Sequence, residues 1–234
     1  HFIHDKNNHN SLINNHINAL YKDKKEELWI GTEAGLDLID LKKNKDSIQF
    51  KHFNLVDNKI SNSLSKNKIY SIFEDSQNQL WIGSSKGIFR LARDKNGERY
   101  FRFINEDINL INTPVKSFAE DSKGRLFIGT GDGLFVLKPN FNSNKVFKLQ
   151  NGFYNDLKFD KKDNLWAGTN SGLLYFENQI NPKKFMLTNR FVYNPRDNKS
   201  ISKNIVKSLF FDNTGTLWVG TNGGGLNKID PERK

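Results

Sequence analysis

One short motif occurs five times along this chain, and the repetition constrains the fold more than any other feature. Each copy reads Leu, an aromatic residue, an aliphatic residue, Gly, and Thr or Ser, and a Gly followed by Leu or Ile comes a few residues later. The aromatic residues are Trp29, Trp81, Phe127, Trp166 and Trp218, at spacings of 52, 46, 39 and 52 residues. A repeat period of about 40–50 residues is typical of solenoids and propellers.

The residues inside one repeat favour short strands over helices. In the second copy, residues 69–73 are mostly β-branched or aromatic and a polar turn follows them, which is typical of a strand. Three more short apolar runs follow at 80–84, 88–91 and 100–103, and no window keeps apolar residues at helical spacing. The sequence therefore predicts an all-β fold of four-stranded antiparallel blades, which is a β-propeller.

Residues that recur in every copy are interpreted as structural. An Asp lies six residues before each aromatic residue, where its carboxylate can accept hydrogen bonds from N–H groups of a turn; these are Asp23, Asp75, Asp121, Asp160 and Asp212. The aromatic side chain can pack between neighbouring blades. The third residue of the first strand is short in every copy, which predicts that this strand is the innermost one: Ala19, Ser71, Ser117, Asp156 and Ser208.

The repeats account for the whole chain, so residues 1–234 are predicted to form a single β-propeller domain of five blades. Residues 1–5 resemble the fourth strand of the next repeat, at 51–55, whereas the fifth repeat ends after its third strand. We therefore expect the N-terminal strand to complete the fifth blade and to close the ring, which would remove exposed sheet edges. A five-blade segment of a larger ring is the alternative.

The composition limits the classes of partner. The 234 residues include 36 Lys and Arg against 26 Asp and Glu, a formal net charge of +10. The basic residues are scattered and form no stripe, so no nucleic-acid partner is expected. The sequence shows no apolar run long enough to cross a membrane, and without Cys it can form no disulfide.

The sequence contains no set of residues that predicts catalysis. The five histidines lie between His1 and His52 without a Cys or an HExxH motif, so no metal site is predicted. The glycine-rich segment 220–225 lacks the Lys-Ser/Thr ending of a phosphate loop, and no Ser lies in a GxSxG elbow. We therefore expect no catalytic residue, no metal and no cofactor.

Ligand-binding residues of a propeller are expected where hairpin tips and inter-blade loops share one face. Side chains at these positions differ between copies, as residues that read a ligand on a fixed scaffold do. The predicted site residues are Glu33, Lys86, Asp132, Asn170 and Asn222 at the tips and Lys66, Asn67, Tyr154, Lys203 and Asn204 in the loops; Asn15, His16 and Asn151 share the loop positions. These side chains suit hydroxyl-rich or anionic ligands, and they fit an ordinary polar rim equally well.

The repeat resembles a known family, the two-component-regulator propeller repeat. The fifth copy is the most similar, with Asn204 before its first strand, Asp212, the segment 217–221 and Leu226. The resemblance implies the periplasmic sensor portion of hybrid two-component systems, common in Bacteroidota, which respond to oligosaccharides. In such relatives seven-bladed rings precede a β-sandwich, a membrane helix and a histidine kinase, and the family places no catalytic residue in the propeller.

The residues and the resemblance together predict a non-catalytic, ligand-binding sensor propeller. The expected ligand is an oligosaccharide, which could be acidic because the chain is basic. Homodimer formation and membrane attachment would come through a parent receptor. Two other hypotheses stand beside this one: a scaffold for protein interaction or dimerisation, and a propeller lyase or glycosidase with convergent His, Arg or carboxylate groups at the channel mouth.

Overall fold

The computed structural model describes residues 1–43, 48–53, 67–104, 110, 113–137, 146–178 and 186–232. All regular secondary structure in these ranges is β-strand, arranged in five antiparallel sheets. The predicted all-β fold with five propeller blades is therefore confirmed. Within the same ranges, no helix is long and apolar enough to span a membrane.

The chain divides into two compact units, His1–Val115 and Lys116–Lys234. The first unit contains two four-stranded sheets whose strands pair in chain order. Blade 1 is formed by β1 (Ile17–Lys22), β2 (Glu27–Thr32), β3 (Leu36–Asp40) and β4 (Lys51–Phe53), and blade 2 by β5 (Ile69–Glu74), β6 (Leu80–Ser84), β7 (Ile88–Arg93) and β8 (Arg99–Phe103).

The second unit contains three sheets, and the first strand of blade 3 begins at the last residue of the first unit. Blade 3 is formed by β9 (Val115–Glu120), β10 (Leu126–Thr130), β11 (Gly133–Leu137) and β12 (Val146–Asn151), blade 4 by β13 (Tyr154–Phe159), β14 (Leu165–Thr169), β15 (Gly172–Glu177) and β16 (Met186–Phe191), and blade 5 by β17 (Val206–Phe211), β18 (Leu217–Thr221) and β19 (Gly225–Ile229). Blades 1 to 4 have the predicted four strands, and blade 5 has three.

The recurring Asp organises the turn between the first and second strands. In blade 2, Asp75 Oδ1 accepts the backbone N–H groups of Gln77 (3.0 Å) and Gln79 (2.8 Å). Its Oδ2 accepts the indole N–H of Trp81 at 2.8 Å, a bond that the sequence interpretation did not include. The fourth residue of the turn has a positive φ in every blade: Glu26, Asn78, Gly124, Asp163 and Gly215. The carboxylate therefore joins the turn to the core aromatic residue.

Blade 3 replaces the indole bond, because its aromatic residue, Phe127, has no N–H group. Arg125 Nε donates to Asp121 Oδ2 at 2.5 Å, and the guanidinium carbon lies 5.6 Å from the centre of the Phe127 ring. Asp121 and Arg125 are only 5% and 9% exposed. A carboxylate at this depth is stable only with a charged or hydrogen-bonded partner, and Arg125 supplies that partner.

The core aromatic residues pack where neighbouring blades meet. Within the first unit, Trp29 of blade 1 lies 5.6 Å from Phe101 of blade 2, ring centre to ring centre, in edge-on geometry. Within the second unit, Trp166 of blade 4 shares a hydrophobic cluster with Val206 of blade 5. The predicted packing role is confirmed for Trp29, Phe127 and Trp166, each of which shares a hydrophobic cluster with residues of the next blade. Trp81 is buried as well.

The short third residue of each first strand faces the motif glycine. Ser71 pairs with Gly83, for example, and a β-bulge precedes the pair. Strands β1 and β5 contact each other, as do β13 and β17, so the first strands of neighbouring blades lie together as predicted. In blade 4 this position carries Asp156, whose Oδ2 accepts the N–H of Leu209 at 2.8 Å. Burial raises the pKa of the Asp156 carboxyl.

The N-terminal residues differ from the prediction that they would complete blade 5. Residues 1–5 form no strand, and the sheet of blade 5 ends at β19. The N–H of His4 instead donates to Asn15 Oδ1 (2.6 Å), and the N–H of Asp5 donates to Ser11 Oγ (2.9 Å). The same bonds recur before blade 5, from Tyr193 to Asn204 and from Asn194 to Ser200. Residues 4–15 therefore form a loop in which the N–H groups of His4 and Asp5 are bonded to side chains.

Candidate functional site

The hairpin tips lie beside the loops that lead into the same blade. In four blades, the N–H of the residue after the motif Thr or Ser donates to the carbonyl of the residue directly before the first strand. The pairs are Glu33 to His16 (3.1 Å), Ser85 to Lys68 (2.9 Å), Asn170 to Phe153 (3.2 Å) and Asn222 to Ile205 (2.8 Å). Each of these blades therefore presents its tip and its entry loop on one face, as predicted.

The motif Thr or Ser fixes the backbone of the tip. In blade 1, the hydroxyl of Thr32 donates to the Gly35 carbonyl at 3.0 Å and accepts the N–H of Ala34 at 3.1 Å. Gly35 has a φ of 149°, which favours glycine. Hydroxyls at the equivalent positions bond to the tip carbonyl in the other blades: Ser84, Thr130, Thr169 and Thr221. Side chains between the motif Thr or Ser and the tip glycine can therefore differ from blade to blade without changing the backbone of the tip.

A charged group forms on this face of the first unit, and we name it the Glu33 cluster: Glu33, His16, Lys68 and Tyr70. The Glu33 carboxylate accepts a hydrogen bond from Lys68 Nζ and lies 3.3 Å from His16 Nδ1. Lys68 Nζ also lies 5.6 Å from the centre of the Tyr70 ring, which is a cation–π distance. The hydrogen bond between Lys68 and Glu33 lowers the pKa of the Glu33 carboxyl and raises the pKa of the Lys68 ammonium group, so both groups are charged at neutral pH.

The tip of blade 2 extends this surface. Lys86 is exposed, and its backbone N–H is held by Ser84 Oγ at 3.1 Å. The neighbouring Ser85 N–H bonds to the carbonyl of Lys68, which holds the backbone of this tip beside Lys68 of the Glu33 cluster. Ammonium groups, a carboxylate, an imidazole and an aromatic ring are thus available on one short stretch of surface.

The hairpin tips of the second unit have the same Thr hydroxyl bond to the tip carbonyl but present different side chains. Asp132 of blade 3 accepts a hydrogen bond from Lys148 Nζ at 2.7 Å. Asn170 of blade 4 accepts one from Asn155 Nδ2 at 2.9 Å, and the same amide donates to the Val206 carbonyl at 2.7 Å. An ion pair and an amide pair therefore occupy equivalent tips, and both are exposed.

Blade 5 presents three of the predicted residues. Lys203 Nζ lies 5.1 Å from the centre of the Tyr193 ring, and Asn222 is exposed at the tip. The third, Asn204, uses its side-chain oxygen to accept the Tyr193 N–H at 2.7 Å. Lys203 and Asn222 are therefore placed to contact a ligand, whereas Asn204 holds the loop.

Three other predicted residues are not presented in this way. Tyr154 is completely buried, and burial raises the pKa of its phenol to about 12. Asn67 is 1% exposed and occupies the loop position of Asn15 and Asn204. Lys66 lies outside the described residues. Contact of Tyr154 or Asn67 with a ligand stays a prediction that their burial disfavours.

Sequence reasoning missed several partners at the tips and entry loops of both units. Lys68 and Asn155 directly follow residues that were selected, Asn67 and Tyr154, so a wider window on each loop would have found them. Lys148 lies on β12, sixteen residues from Asp132, and only the pairing of β11 with β12 brings it to the tip. No local sequence signal marks Lys148.

The side chains at these tips and entry loops are suited to non-covalent recognition. Hydrogen-bond donors, acceptors and aromatic rings are suited to hydroxyl-rich ligands, and the ammonium groups suit carboxylates. Among the described residues, no group of three or more His, Asp or Glu side chains is arranged to hold a metal ion.

The repeats match a known family. A family model described as the two-component regulator propeller matches residues 11–34, 63–86, 109–132 and 200–223. The four matched repeats belong to the two-component regulator propeller family. Each matched segment runs from the entry loop through the Asp turn and the Trp or Phe motif to the hairpin tip. Those are the segments in which the recurring hydrogen bonds lie. No curated protein matches the sequence.

Solved structures share the fold of these two-component regulator propeller repeats. The extracellular domain of BT4673, assigned to a hybrid two-component system of B. thetaiotaomicron, is similar at 24% identity and a TM-score of 0.72, over 91% of this chain and 27% of that one. The extracellular domain of BT3049 from the same organism gives 22% identity and a TM-score of 0.65, over 94% and 29%. The chain thus spans less than a third of the length of either relative.

An enzyme also shares the propeller fold. Virginiamycin B lyase from Staphylococcus aureus is similar at 13% identity and a TM-score of 0.58, over 92% of this chain and 70% of that one. At such identities the likeness concerns the fold alone. Four of the five repeats match the two-component regulator propeller.

Proposed function

We propose that this chain is a ligand-sensing part of an extracellular or periplasmic receptor region, and that it binds an oligosaccharide on the tip face without catalysing a reaction. The observation that carries the proposal is the Glu33 cluster with the adjacent Lys86. It combines charged groups with an aromatic ring on backbone positions that hydrogen bonds keep fixed. The family of the repeats and the extracellular relatives support the assignment to a sensor.

The geometry favours a saccharide over an apolar ligand. Polar side chains converge on the Glu33 cluster, and Tyr70 offers the flat face against which a sugar ring can stack. The residues that vary between blades are polar, whereas the apolar residues of the repeat are buried in the core. A ligand rich in hydroxyl groups can replace the water on such a surface bond for bond.

An acidic sugar fits the surface better than a neutral one. The exposed Lys86 at the tip of blade 2 adds positive charge to the surface that carries the Lys68–Glu33 pair. The chain as a whole carries a net charge of +10, which attracts anionic ligands before contact. A uronic-acid oligomer would place a carboxylate at Lys86 while its hydroxyl groups reach Glu33 and His16.

Signal transmission would belong to the parent protein. A ligand changes the output of a receptor only if it binds one arrangement of the receptor better than another. Membrane attachment, dimer formation and kinase output are accordingly proposed for the parent protein, and this chain would supply the differential binding energy.

The test is isothermal titration calorimetry with a tetramer of galacturonic acid and, for comparison, a neutral glucose tetramer. We expect heat of binding for the acidic tetramer and its loss in Lys86→Ala. Lys25→Ala is the matched control, because Lys25 is an exposed lysine on the Asp turn of blade 1, away from the tips. Equal heats for wild type and Lys86→Ala, or no heat with either sugar, would contradict the proposal.

One observation supports an enzyme as the second candidate. His16 and Glu33 form an exposed pair at 3.3 Å, and a His beside a carboxylate can act as a general base. The same titration mixtures should therefore be examined for shortened or unsaturated sugars. Product formation that His16→Gln abolishes would favour a lyase or glycosidase over a sensor.

A further inference from the structure

Blade 1 carries a buried carboxylate at a position where the other blades have none. Asp37 lies on β3, opposite the second strand, and its side chain is 0% exposed. The equivalent residues are apolar in blades 2 to 4 and an amide in blade 5: Phe89, Phe135, Leu174 and Asn227. Burial of an ionised carboxylate is costly unless partners compensate its charge. Because three blades fold with an apolar residue here, the repeat itself does not require Asp37.

Two groups contact the Asp37 carboxylate, and one of them is a histidine. Asp37 Oδ2 accepts the backbone N–H of Ile13, in the entry loop of blade 1, at 2.8 Å. Asp37 Oδ1 lies 2.7 Å from Nδ1 of His52, the residue paired with Asp37 on β4. The other ring nitrogen of His52, Nε2, lies 2.7 Å from the backbone carbonyl oxygen of His9. The pair therefore holds the entry loop at two points, His9 and Ile13.

These contacts require one proton more than a neutral imidazole beside a carboxylate provides. The His9 carbonyl can only accept, so His52 Nε2 must carry a hydrogen. The contact between Nδ1 and Oδ1 needs a second hydrogen, either on the imidazole or on the carboxyl group. Burial raises the pKa of the Asp37 carboxyl, and the Ile13 N–H and His52 reverse only part of that effect. The two side chains therefore share a proton and titrate as one pair.

The surroundings of the pair contain one further titratable group whose charge acts on it. This group is His4 of the same loop, whose charge lowers the pKa of Asp37 and whose Nδ1 lies 2.6 Å from the Leu12 carbonyl oxygen. On the other side of Asp37, β2 places an aliphatic residue. Lys51, on β4, has its Nζ 5.3 Å from the centre of the Phe53 ring. The shared proton is therefore held mainly by the carboxylate and the imidazole of the pair.

The entry loop that the pair holds leads directly to the Glu33 cluster. The N–H of His16 donates to Asn14 Oδ1 at 2.7 Å. The His16 carbonyl accepts the Glu33 N–H at 3.1 Å, and His16 Nδ1 lies 3.3 Å from the Glu33 carboxylate. Two residues separate Ile13 from His16, so release of Ile13 also loosens the backbone that positions His16.

We propose that the Asp37–His52 pair is a proton-dependent latch that holds the entry loop of blade 1, and with it His16 of the Glu33 cluster, in place. Loss of the shared proton leaves a nitrogen lone pair facing either the carboxylate or the His9 carbonyl, and the loop is released. Regulation of ligand binding by this latch rests on the function proposed above, whereas the latch itself does not.

The latch is closed at low pH and opens as the pH rises. The closed pair binds one proton, whereas in water a free carboxyl group loses its proton above about pH 4 and a free imidazole above about pH 6.5. The closed form is therefore fully favoured below about pH 6.5. Above that value its advantage falls by up to about tenfold per pH unit, the limit for one linked proton, until the closed pair loses its proton as well.

Blade 5 shows what an amide does at the same position. Asn227 Oδ1 accepts the N–H of Ser202, in the entry loop of blade 5, at 2.8 Å, and Asn227 Nδ2 donates to the Val219 carbonyl at 3.1 Å. An amide brings its own donor, so this loop is held without an added proton. Asp37→Asn gives blade 1 the same group, which can accept the Ile13 N–H and donate to a neutral imidazole, and it should keep the loop closed at every pH.

Nuclear magnetic resonance of the full chain without ligand, between about pH 5 and about pH 9, tests the latch. After correction for the intrinsic exchange rate, we expect the protection of the Ile13 amide against hydrogen exchange to fall with rising pH in wild type. The Ser202 amide, in the same sample, should show no such fall, and this comparison needs no variant. Protection of Ile13 should stay constant in Asp37→Asn. His9→Ala, which removes an exposed imidazole but keeps the backbone carbonyl, should behave as wild type.

Constant protection of Ile13 in wild type would overturn the proposal, and so would a fall of equal size in Asp37→Asn. Calorimetry with the galacturonic acid tetramer at about pH 6 and about pH 8 tests the regulation. We expect the affinity of wild type to fall more between these values than that of Asp37→Asn, and equal falls would contradict the link to His16. No heat at either pH, together with a pH-dependent Ile13 amide, would contradict the proposed function and uphold the latch.

Discussion

The two ends of each blade differ in how their side chains are used. At the turn end, all five blades carry an Asp that binds the turn backbone, with a positive-φ residue three positions later. At the tip end, the side chain that is presented is Glu33 in one blade, Asp132 in another and Asn170 in a third. The turn end therefore holds the sheet to the core, whereas at the tip only the Thr or Ser hydroxyl is fixed and the neighbouring side chains are left to recognise a ligand.

Blade 3 shows how strict the requirement at the turn end is. Its Phe127 cannot donate the hydrogen bond that Trp29, Trp81, Trp166 and Trp218 donate to their Asp residues. Arg125 restores a donor at the same carboxylate oxygen. The carboxylate thus keeps a side-chain donor even where the aromatic residue changes, which is the behaviour of a structural bond.

The largest effect is expected when the donor of blade 3 is removed. Arg125→Met would leave the Asp121 carboxylate, whose side chain is 0% exposed, without its charged partner, and the free energy of unfolding should fall by about 3–5 kcal/mol. Urea unfolding measures this value. The double variant Arg125→Gln with Phe127→Trp supplies an indole donor and should recover more than half of the loss; no recovery would contradict the proposed equivalence of Arg125 and the indole.

A somewhat smaller loss is expected at the turn of blade 2. Asp75→Ala removes acceptors for two backbone N–H groups and for the Trp81 indole, and about 1 kcal/mol per bond gives a loss of about 2–3 kcal/mol. Lys86→Ala, at the tip of the same blade, should change the free energy of unfolding by no more than about 0.5 kcal/mol. Equal losses in the two variants would remove the distinction between the two ends.

Acid should lower the free energy of unfolding through the Asp turn of blade 5. Hydrogen bonds from the Thr214 hydroxyl and then from the Trp218 indole lower the pKa of Asp212 to about 2, below its unfolded value of about 3.9. The stabilisation is therefore complete above pH about 4 and is lost as the pH falls through about 2. Asp212→Asn should flatten this part of the profile of unfolding free energy against pH. An unchanged slope in the variant would show that Asp212 does not contribute to the acid dependence.

The smallest effect on stability is expected within the Glu33 cluster. The Glu33 side chain is 38% exposed and that of Lys68 is 37% exposed, so solvent screens their ion pair and it contributes little to the free energy of unfolding. Lys68→Ala should leave thermal unfolding nearly unchanged but alter the affinity for the acidic tetramer in calorimetry, because the Glu33 carboxylate would lose its cation. A large fall in melting temperature would assign Lys68 to the scaffold and not to recognition.

The sequence predicted the repeated part of the molecule well, since each recurring residue has one local role. The turn of Asp75, the tip glycine Gly35 and the burial of Trp81 all follow from patterns within a few residues. The indole bond to the carboxylate was missed because a packing role already accounted for Trp. The N-terminal residues were assigned wrongly to a strand, because their apolar pattern resembles residues 51–55. In the structure the N–H groups of His4 and Asp5 are bonded to the side chains of Asn15 and Ser11.

The sequence predicted where the candidate site lies but not the contacts between its side chains. Tips and entry loops follow from the repeat, but the partners of Glu33 and Asp132 come from separate strands and loops that approach only in the folded sheet. Tyr154 illustrates the limit: it is polar and lies at a loop boundary in the sequence, yet in the structure it is completely buried against the motif glycine Gly129 of blade 3.

The most direct test of the account is calorimetric melting of wild type, Asp75→Ala and Lys86→Ala, each with and without the galacturonic acid tetramer. A ligand that binds the native state raises the melting temperature. The account predicts that Asp75→Ala melts at a lower temperature but keeps the ligand-induced rise, and that Lys86→Ala melts like wild type but loses the rise. A rise that survives in Lys86→Ala and disappears in Asp75→Ala would contradict the division between a structural turn end and a recognising tip end.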